Sequence, residues 1–147
     1  MIKPRIVVTD DITLEMQNPI GGGLDAFNDE VTGYGDRKPL AVLARHSSTD
    51  AIIGGALGRS SLGLLFLDLF YIAPEQRRSG LGTTILGAFE QEGRRRRCVA
   101  AVLYTISFQA PGFYARHGWQ RFGEIPCLPS GTSRIFMSKQ LGSAAPI

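Results

Sequence analysis

Apolar positions recur along the chain with two periods, and the changes of period mark out its elements. Leu40 to His46, Ala51 to Arg59 and Leu64 to Ile72 have strand character. They are separated by Ser47-Ser48-Thr49-Asp50 and by Ser60-Ser61-Leu62-Gly63. Turns this short join neighbours, so the three runs predict an antiparallel meander. From Gly80 to about Gly93 the spacing becomes helical, with Leu81, Ile85, Ala88 and Phe89 on one face. Cys98 to Leu103 is continuously apolar, which predicts a strand buried on both faces. A helix precedes it, so a crossover places it parallel to the strand ending at Ile72. A short helix at about Gln109 to His117 ends at Gly118. Trp119 to Ile125 and Ser133 to Gln140 predict two final strands, joined by a loop with Pro126, Pro129 and Gly131.

The front of the chain is punctuated by structure breakers. Ile6 to Thr9 predicts a short strand, and Asp10-Asp11 an N-cap for a helix starting near Thr13. Asn18-Pro19 and Gly21-Gly22-Gly23 are expected to end that helix, because glycine costs roughly 1 kcal/mol against alanine and proline more. A second turn or helix follows at Leu24 to Glu30, then a loop at Gly33-Tyr34-Gly35-Asp36. Gly142 to Ile147 reads as a frayed tail. No linker or repeat divides the chain, so the expectation is one α/β (α+β) domain over residues 1–147. Its sheet should be single, mixed and mostly antiparallel, flanked by helices.

Composition narrows the classes. With 147 residues, 44% hydrophobic and 20% charged, the chain can build a core. Its longest apolar stretch, Leu62 to Ile72, is interrupted by Asp68 and falls short of a membrane span. Met1-Ile2-Lys3-Pro4 does not begin a signal peptide, and two cysteines, Cys98 and Cys127, make neither a disulfide framework nor a metal cluster. The expectation is a cytoplasmic protein without metal and without a membrane partner. The net charge of +3 conceals an asymmetry. Residues 1–75 carry six Lys/Arg and ten Asp/Glu, whereas residues 76–147 carry ten and three. A basic half of this kind expects an anionic partner: nucleic acid, lipid head groups or a phosphate-bearing cofactor.

One segment favours the phosphate. Ile72-Ala73-Pro74-Glu75-Gln76-Arg77-Arg78-Ser79-Gly80-Leu81-Gly82 joins a buried strand to an amphipathic helix. The first amides of that helix lack intrahelical acceptors, its dipole adds positive potential, and glycine lets a ligand approach the main chain. Together with Arg77 and Arg78 this is an anion site suited to a pyrophosphate. It is not a nucleotide P-loop, since Gly82 is followed by Thr83 with no lysine. A dinucleotide fingerprint fails because Ile85 stands where its third small residue belongs.

Arg77-x-x-Gly80-x-Gly82 resembles the acetyl-CoA signature, Arg/Gln-x-x-Gly-x-Gly/Ala, of the GNAT superfamily of N-acetyltransferases. Ser107-Phe108-Gln109-Ala110-Pro111-Gly112-Phe113-Tyr114-Ala115-Arg116-His117-Gly118-Trp119 is similar to that superfamily's second motif, Asn-x-x-Ala-x-x-Phe-Tyr-x-x-x-Gly-Phe. The resemblance spans residues 38–141. It implies acetyl-CoA as co-substrate and an acetyl transfer to an amine by direct attack in a ternary complex. Arg77, Arg78, Ser79, Gly80, Leu81 and Gly82 would hold the pyrophosphate. Phe70, Tyr71 and Ile72 would pair with the pantetheine arm where two parallel strands splay apart. Tyr114 would protonate the departing thiolate. Ser107, standing where many relatives carry asparagine, is counted with the cofactor contacts.

No motif of that family assigns a proton acceptor for the amine. Asp68 is the candidate from the residues themselves, placed by alternation on the face of Phe66, Phe70 and Ile72. It can bind or deprotonate an ammonium, or simply pair with an arginine, and a water chain is the other route for the proton. His46 and His117 read as structural. Arg94-Arg95-Arg96-Arg97 reads as a solvated run favoured by the end of its helix, with nucleic acid or an acidic partner as the alternative. The acceptor is expected to contact Leu24 to Tyr34, Asp68 and the loop from Pro126 to Ser133, and Asp25, Asp29 and Glu30 in the first of these point to a cationic small-molecule amine. A protein or peptide amine is the broader possibility, and the exposed strand edges suggest a homodimer. The rival reading is a non-catalytic module that binds acyl-CoA or nucleic acid.

Overall fold

The two periodicities resolve into three helices and six strands in a computed structural model. It describes residues 2–142, so most of the tail from Gly142 onward lies outside the described residues. The chain forms two units, one reaching Gly35 and the other starting at Asp36.

In the first unit, residues 2–9 carry no strand, contrary to the prediction for Ile6 to Thr9. An extended segment needs a partner strand to satisfy its amides and carbonyls, and none pairs with it. Helix α1 (Leu14–Thr32) is capped by Thr13, whose hydroxyl accepts from Met16 N at 3.3 Å, and not by Asp10 or Asp11. It then runs straight through Pro19 and the three glycines, so the predicted break does not occur. Met16, Ile20, Leu24, Phe27 and Val31 keep one apolar helical stripe across the breakers, although none of them is buried among the described residues. The helix stops at Gly33, in the left-handed region at φ 85°, whose amide donates to the Asp29 carbonyl.

The second unit contains β1 (Lys38–Arg45), β2 (Ile52–Ser61), β3 (Leu64–Ile72), α2 (Leu81–Arg95), β4 (Ala100–Ile106), α3 (Pro111–Arg116), β5 (Gln120–Pro126) and β6 (Ser133–Gln140). The strands form one mixed sheet in the order β1-β2-β3-β4-β6-β5. Every pairing is antiparallel except β3 with β4, as the crossover through α2 requires. Ile85 and Phe89 of α2 lie against the sheet with Leu65, Ala101 and Met137, and Phe89 is fully buried. Burying a ring of that size contributes about 2 kcal/mol. Gly58 permits this approach, since a Cβ there would come within 2.8 Å of the Phe89 ring. β4 alternates between buried and less buried residues, with Tyr104 exposed, instead of being buried on both faces.

Two irregularities shape the site. On β3, Leu67 pairs with Gly58 and Leu69 with Leu57, leaving Asp68 as an unpaired extra residue. This bulge reverses the alternation, so Leu65 and Leu67 before it, and Phe70 and Ile72 after it, all face α2. Asp68 therefore shares the outer face with Phe66 but not with Phe70 and Ile72, which corrects the alternation argument. The second irregularity follows from the first. β3 and β4 pair only over Leu64–Phe66 and Ala100–Val102, and beyond that they diverge.

Candidate active site

The diverging strands open a cleft in the sheet. Past Phe66 on β3 and Val102 on β4 the facing edges have no cross-strand partners, so two rows of main-chain donors and acceptors are left to a ligand. A cavity of about 900 Å³ lies at the end of β3 and under the turn into α2. A smaller one of about 240 Å³ occupies the divergence itself. Both are lined by Phe70, Thr105, Gln109 and Tyr114, so the two spaces meet at Tyr114.

The turn leading into α2 is built to leave its amides free. Pro74–Gln76 makes a single 3-10 turn, and Arg77 N closes it on Pro74 O at 3.3 Å. Arg78 then adopts φ 65° and Gly80 φ 86°, which aims successive amides the same way. The first helical bond is Thr84 N to Gly80 O at 3.1 Å. The amides of Arg78 to Thr83 consequently have no acceptor among the described residues. A Cβ on Gly80 would meet nothing within 4 Å, so open space lies over this turn.

The side chains predicted for the phosphate site divide into two groups. Arg78 and Arg77 both line the larger cavity, but the Arg77 guanidinium is tied back, with Nε donating to Ile72 O at 2.9 Å and the group over Tyr71. Ser79 offers only its amide, since its hydroxyl donates to Gln76 O at 2.6 Å, and Leu81 turns into the core. Gly82 packs against Phe113, whose ring a Cβ would approach to 3.4 Å. Phe70, Tyr71 and Ile72 line the cavity as expected. Ser107 does not line it; its hydroxyl accepts from Ser133 N at 3.0 Å and ties β4 to β6.

Thr83, Gln109 and Arg116 line the larger cavity without having been singled out in the sequence. Gln109 had a signal, since it lies inside the second motif. Its Oε1 accepts from Thr105 Oγ1 at 2.9 Å and Ile106 N at 3.0 Å, which closes the end of β4. Thr83 sits in the first turn of α2 and Arg116 in the last turn of α3, and only the packing of the two helices brings them to one cavity.

Tyr114 is held by an aromatic cluster. Its ring meets Phe70, Phe113 and Trp119 edge-on at centroid distances of 6.1, 5.4 and 6.0 Å. Burial of this kind disfavours the phenolate, and the hydroxyl pKa is pushed up to about 12. No described residue hydrogen-bonds the hydroxyl, which leaves it available to whatever occupies the cavities. Asp68 lines the smaller cavity, and Arg59 Nη1 contacts its two oxygens at 3.3 and 3.4 Å while stacking over Phe66. The arginine partner that the sequence left open is therefore present. His46 and His117 have structural partners. His46 Nδ1 accepts from Ser48 N and Thr49 N, and His117 Nε2 lies 3.2 Å from Thr83 Oγ1. Cys98 is buried, and burial pushes its thiol above the ordinary value of 9.0, so it stays a thiol at neutral pH.

The chain and its fold have counterparts among known proteins. The model of the acetyltransferase (GNAT) family matches residues 13–119. The chain belongs to this family. Acetyltransferase Atu2258 of Agrobacterium fabrum strain C58 is 28% identical over 136 residues, covering 92% of this chain and 98% of that protein. Blasticidin-S acetyltransferase of Streptomyces morookaense is 30% identical over 109 residues, covering 72% and 80%. A crystal structure of an Agrobacterium tumefaciens protein superposes with a TM-score of 0.85 at 27% identity, covering 93% of this chain and 99% of that one. The GNAT fold implied by the two motifs is the fold observed, and the protein is an acetyltransferase. No helix among the described residues of this acetyltransferase is long and apolar enough to cross a membrane.

Proposed function

We propose that this acetyltransferase moves the acetyl group of acetyl-CoA to a primary amine of a small molecule, by direct attack with both substrates bound. One observation carries the reading: two cavities of unequal size meet at a single uncommitted phenol. The larger fits the cofactor. Six consecutive free amides, with Arg78 beside them, suit a pyrophosphate. The unpaired edge of β3 suits an amide-bearing arm laid alongside as an extra strand. Bound acetyl-CoA would supply the acetyl group already activated as a thioester.

The chain's own residues then have three tasks. Main-chain amides at the cleft stabilise negative charge on the carbonyl oxygen as it develops. Tyr114 keeps its proton on Oη throughout the neutral range and donates a hydrogen bond where the departing sulfur becomes negative. A thiol has a pKa of roughly 8.5, so a phenol at about 12 shares its proton with that sulfur and does not surrender it fully in the ground state. Asp68, in the smaller cavity, holds the incoming ammonium, with its proton leaving to water or to the carboxylate. Neither thiol acts as a covalent relay, because Cys98 is buried and Cys127 lies outside both cavities.

The acceptor class draws support from the Streptomyces relative, whose name gives blasticidin-S as what it acetylates. The two unbridged cysteines agree with a cytoplasmic setting. Release of free thiol from acetyl-CoA, measured across a panel of small amines, tests the transfer. Replacing Tyr114 with phenylalanine should lower kcat about tenfold to hundredfold while CoA affinity stays within about twofold. An unchanged kcat would remove Tyr114 from the mechanism. Because the phenol is raised to about 12, activity should not decline through its ionisation as pH passes 10.

A further inference from the structure

The smaller cavity carries a second charge that acetyl transfer by itself does not need. Its wall includes Arg134 of β6, on the outer face of the sheet and one strand beyond β4. The guanidinium does not extend into solvent alone. It reaches back over the ring of Tyr104 on β4, with Cζ 5.4 Å from the centroid, and Tyr104 lines the same cavity. The ring is itself braced, 5.9 Å from Phe136, which lies 6.2 Å from Phe122. No described carboxylate pairs with Arg134. Glu124, the acid on the adjoining strand β5, accepts from Ser133 Oγ at 2.7 Å and lies near Arg121. The other charged group on this cavity is Asp68, across the cleft on β3.

A carboxylate and an unpaired guanidinium on opposite strands of one small cleft, with Tyr114 between the two cavities, make a site of two signs. We propose that the acceptor is a small amine that also carries an oxyanion, a carboxylate or a phosphate. Its ammonium lies toward Asp68, and Arg134 holds the anion against Tyr104. This deepens the acetyl-transfer reading above and rests on it. A guanidinium suits either anion because its fork donates two parallel hydrogen bonds, and stacking on an aromatic ring holds that fork in plane. The strand geometry adds a length requirement. Asp68 and Arg134 lie on strands separated by β4, with neighbours spaced about 4.8 Å or more apart. An anion several bonds away from the amine fits better than one on the adjacent carbon.

Three probes of similar size separate the possibilities: β-alanine, 2-aminoethylphosphonate and propylamine. With acetyl-CoA saturating, one or both anionic probes should exceed propylamine in kcat/KM by about tenfold or more. The better of the two identifies the anion. Arg134→Gln should bring that ratio close to one, and Arg134→Lys should restore part of it. The same ranking is read without turnover by calorimetry of the three probes on CoA-bound enzyme. Equal binding of all three, or equal loss of all three in Arg134→Gln, overturns the proposal. So does failure of both anionic probes to bind. Thiol release that shows no advantage for an anion overturns this inference and leaves acetyl transfer standing. Arg134-dependent binding of the anionic probes to an enzyme that releases no thiol with any amine overturns the transfer reading instead.

Discussion

The two ends of helix α2 carry arginines and look alike as charge, yet they are chemically opposite. At its start, Arg77 and Arg78 flank six amides without acceptors, and open space lies over the turn. At its end, Arg94 and Arg96 bond to other parts of the fold, while the exposed Arg95 pairs within the helix. Arg94 Nε donates to Leu141 O, and Arg95 pairs with Glu92. Arg96 pairs with Glu92 at 2.9 Å and also reaches Lys38 O, Pro39 O and Ser60 Oγ, so it pins the helix to β1 and β2. Two of the four arginines that supported a nucleic-acid alternative thus tie the end of the helix to the rest of the fold. A cluster of like charge indicates a ligand only where its donors lack partners at home, and the free main-chain donors at the other end are the better sign.

The largest effect expected from this contrast is on folding. Arg96→Ala removes hydrogen bonds to two carbonyls and a hydroxyl and one of the two arginines on Glu92, and should lower stability by about 3 kcal/mol, read from denaturant midpoints. A loss too small to measure would mean that the end of α2 is held by something else. Next comes Gly80→Val, which forces a β-branched residue to φ 86° and should cost about 2 kcal/mol of conformational strain. Its distinguishing mark is CoA affinity, expected to fall at least about tenfold by calorimetry as the amides lose their alignment. Arg96→Ala should leave that affinity intact in the folded fraction, and similar losses in both variants would erase the distinction between the two ends. The smallest effect is at Arg95, whose side chain is 76% exposed. Replacing it with alanine should change stability by less than about 0.5 kcal/mol.

Acid sharpens the same comparison. The Arg96 and Arg95 guanidinium groups hold the Glu92 carboxyl below its ordinary 4.5. The folded state therefore releases this proton more readily than the unfolded chain. The resulting stabilisation is fully present above pH 4.5 and is lost as pH falls through the lower, folded value. The gap between the melting curves of the wild type and Arg96→Ala should narrow in that window. A gap that stays constant with pH would show that the carbonyl contacts, and not Glu92, account for the role of Arg96.

Much of this was legible in the residues. The strand limits Leu64–Ile72 and Ser133–Gln140 agree with the alternation and turn residues that mark them. The Arg77-x-x-Gly80-x-Gly82 turn could be located because its form resides in backbone conformation, and glycine at φ 86° leaves a mark in the sequence. α1 was misjudged because Pro19 and three glycines are strong local signals, whereas the stripe from Met16 to Val31 is a weak one spread over many turns. Arg116 and Thr83 gave no sign, since residues far apart in the chain converge only when two helices pack.

Local rules thus determined, from the sequence by itself, the order of elements from β1 to β6, the parallel crossover, the strand-to-helix turn and the family. The tertiary structure decided what each charged and polar group does. The bulge at Asp68 reverses a face, and which face a residue takes beyond a bulge depends on pairing with β2. Ser107 and Arg96 bond within the fold because partners dozens of residues away arrive beside them. Arg134 meets the cleft because β6 inserts between β4 and β5. Propensity and period act over one or two turns of chain, while the partners that consume or spare a charge come from strand order.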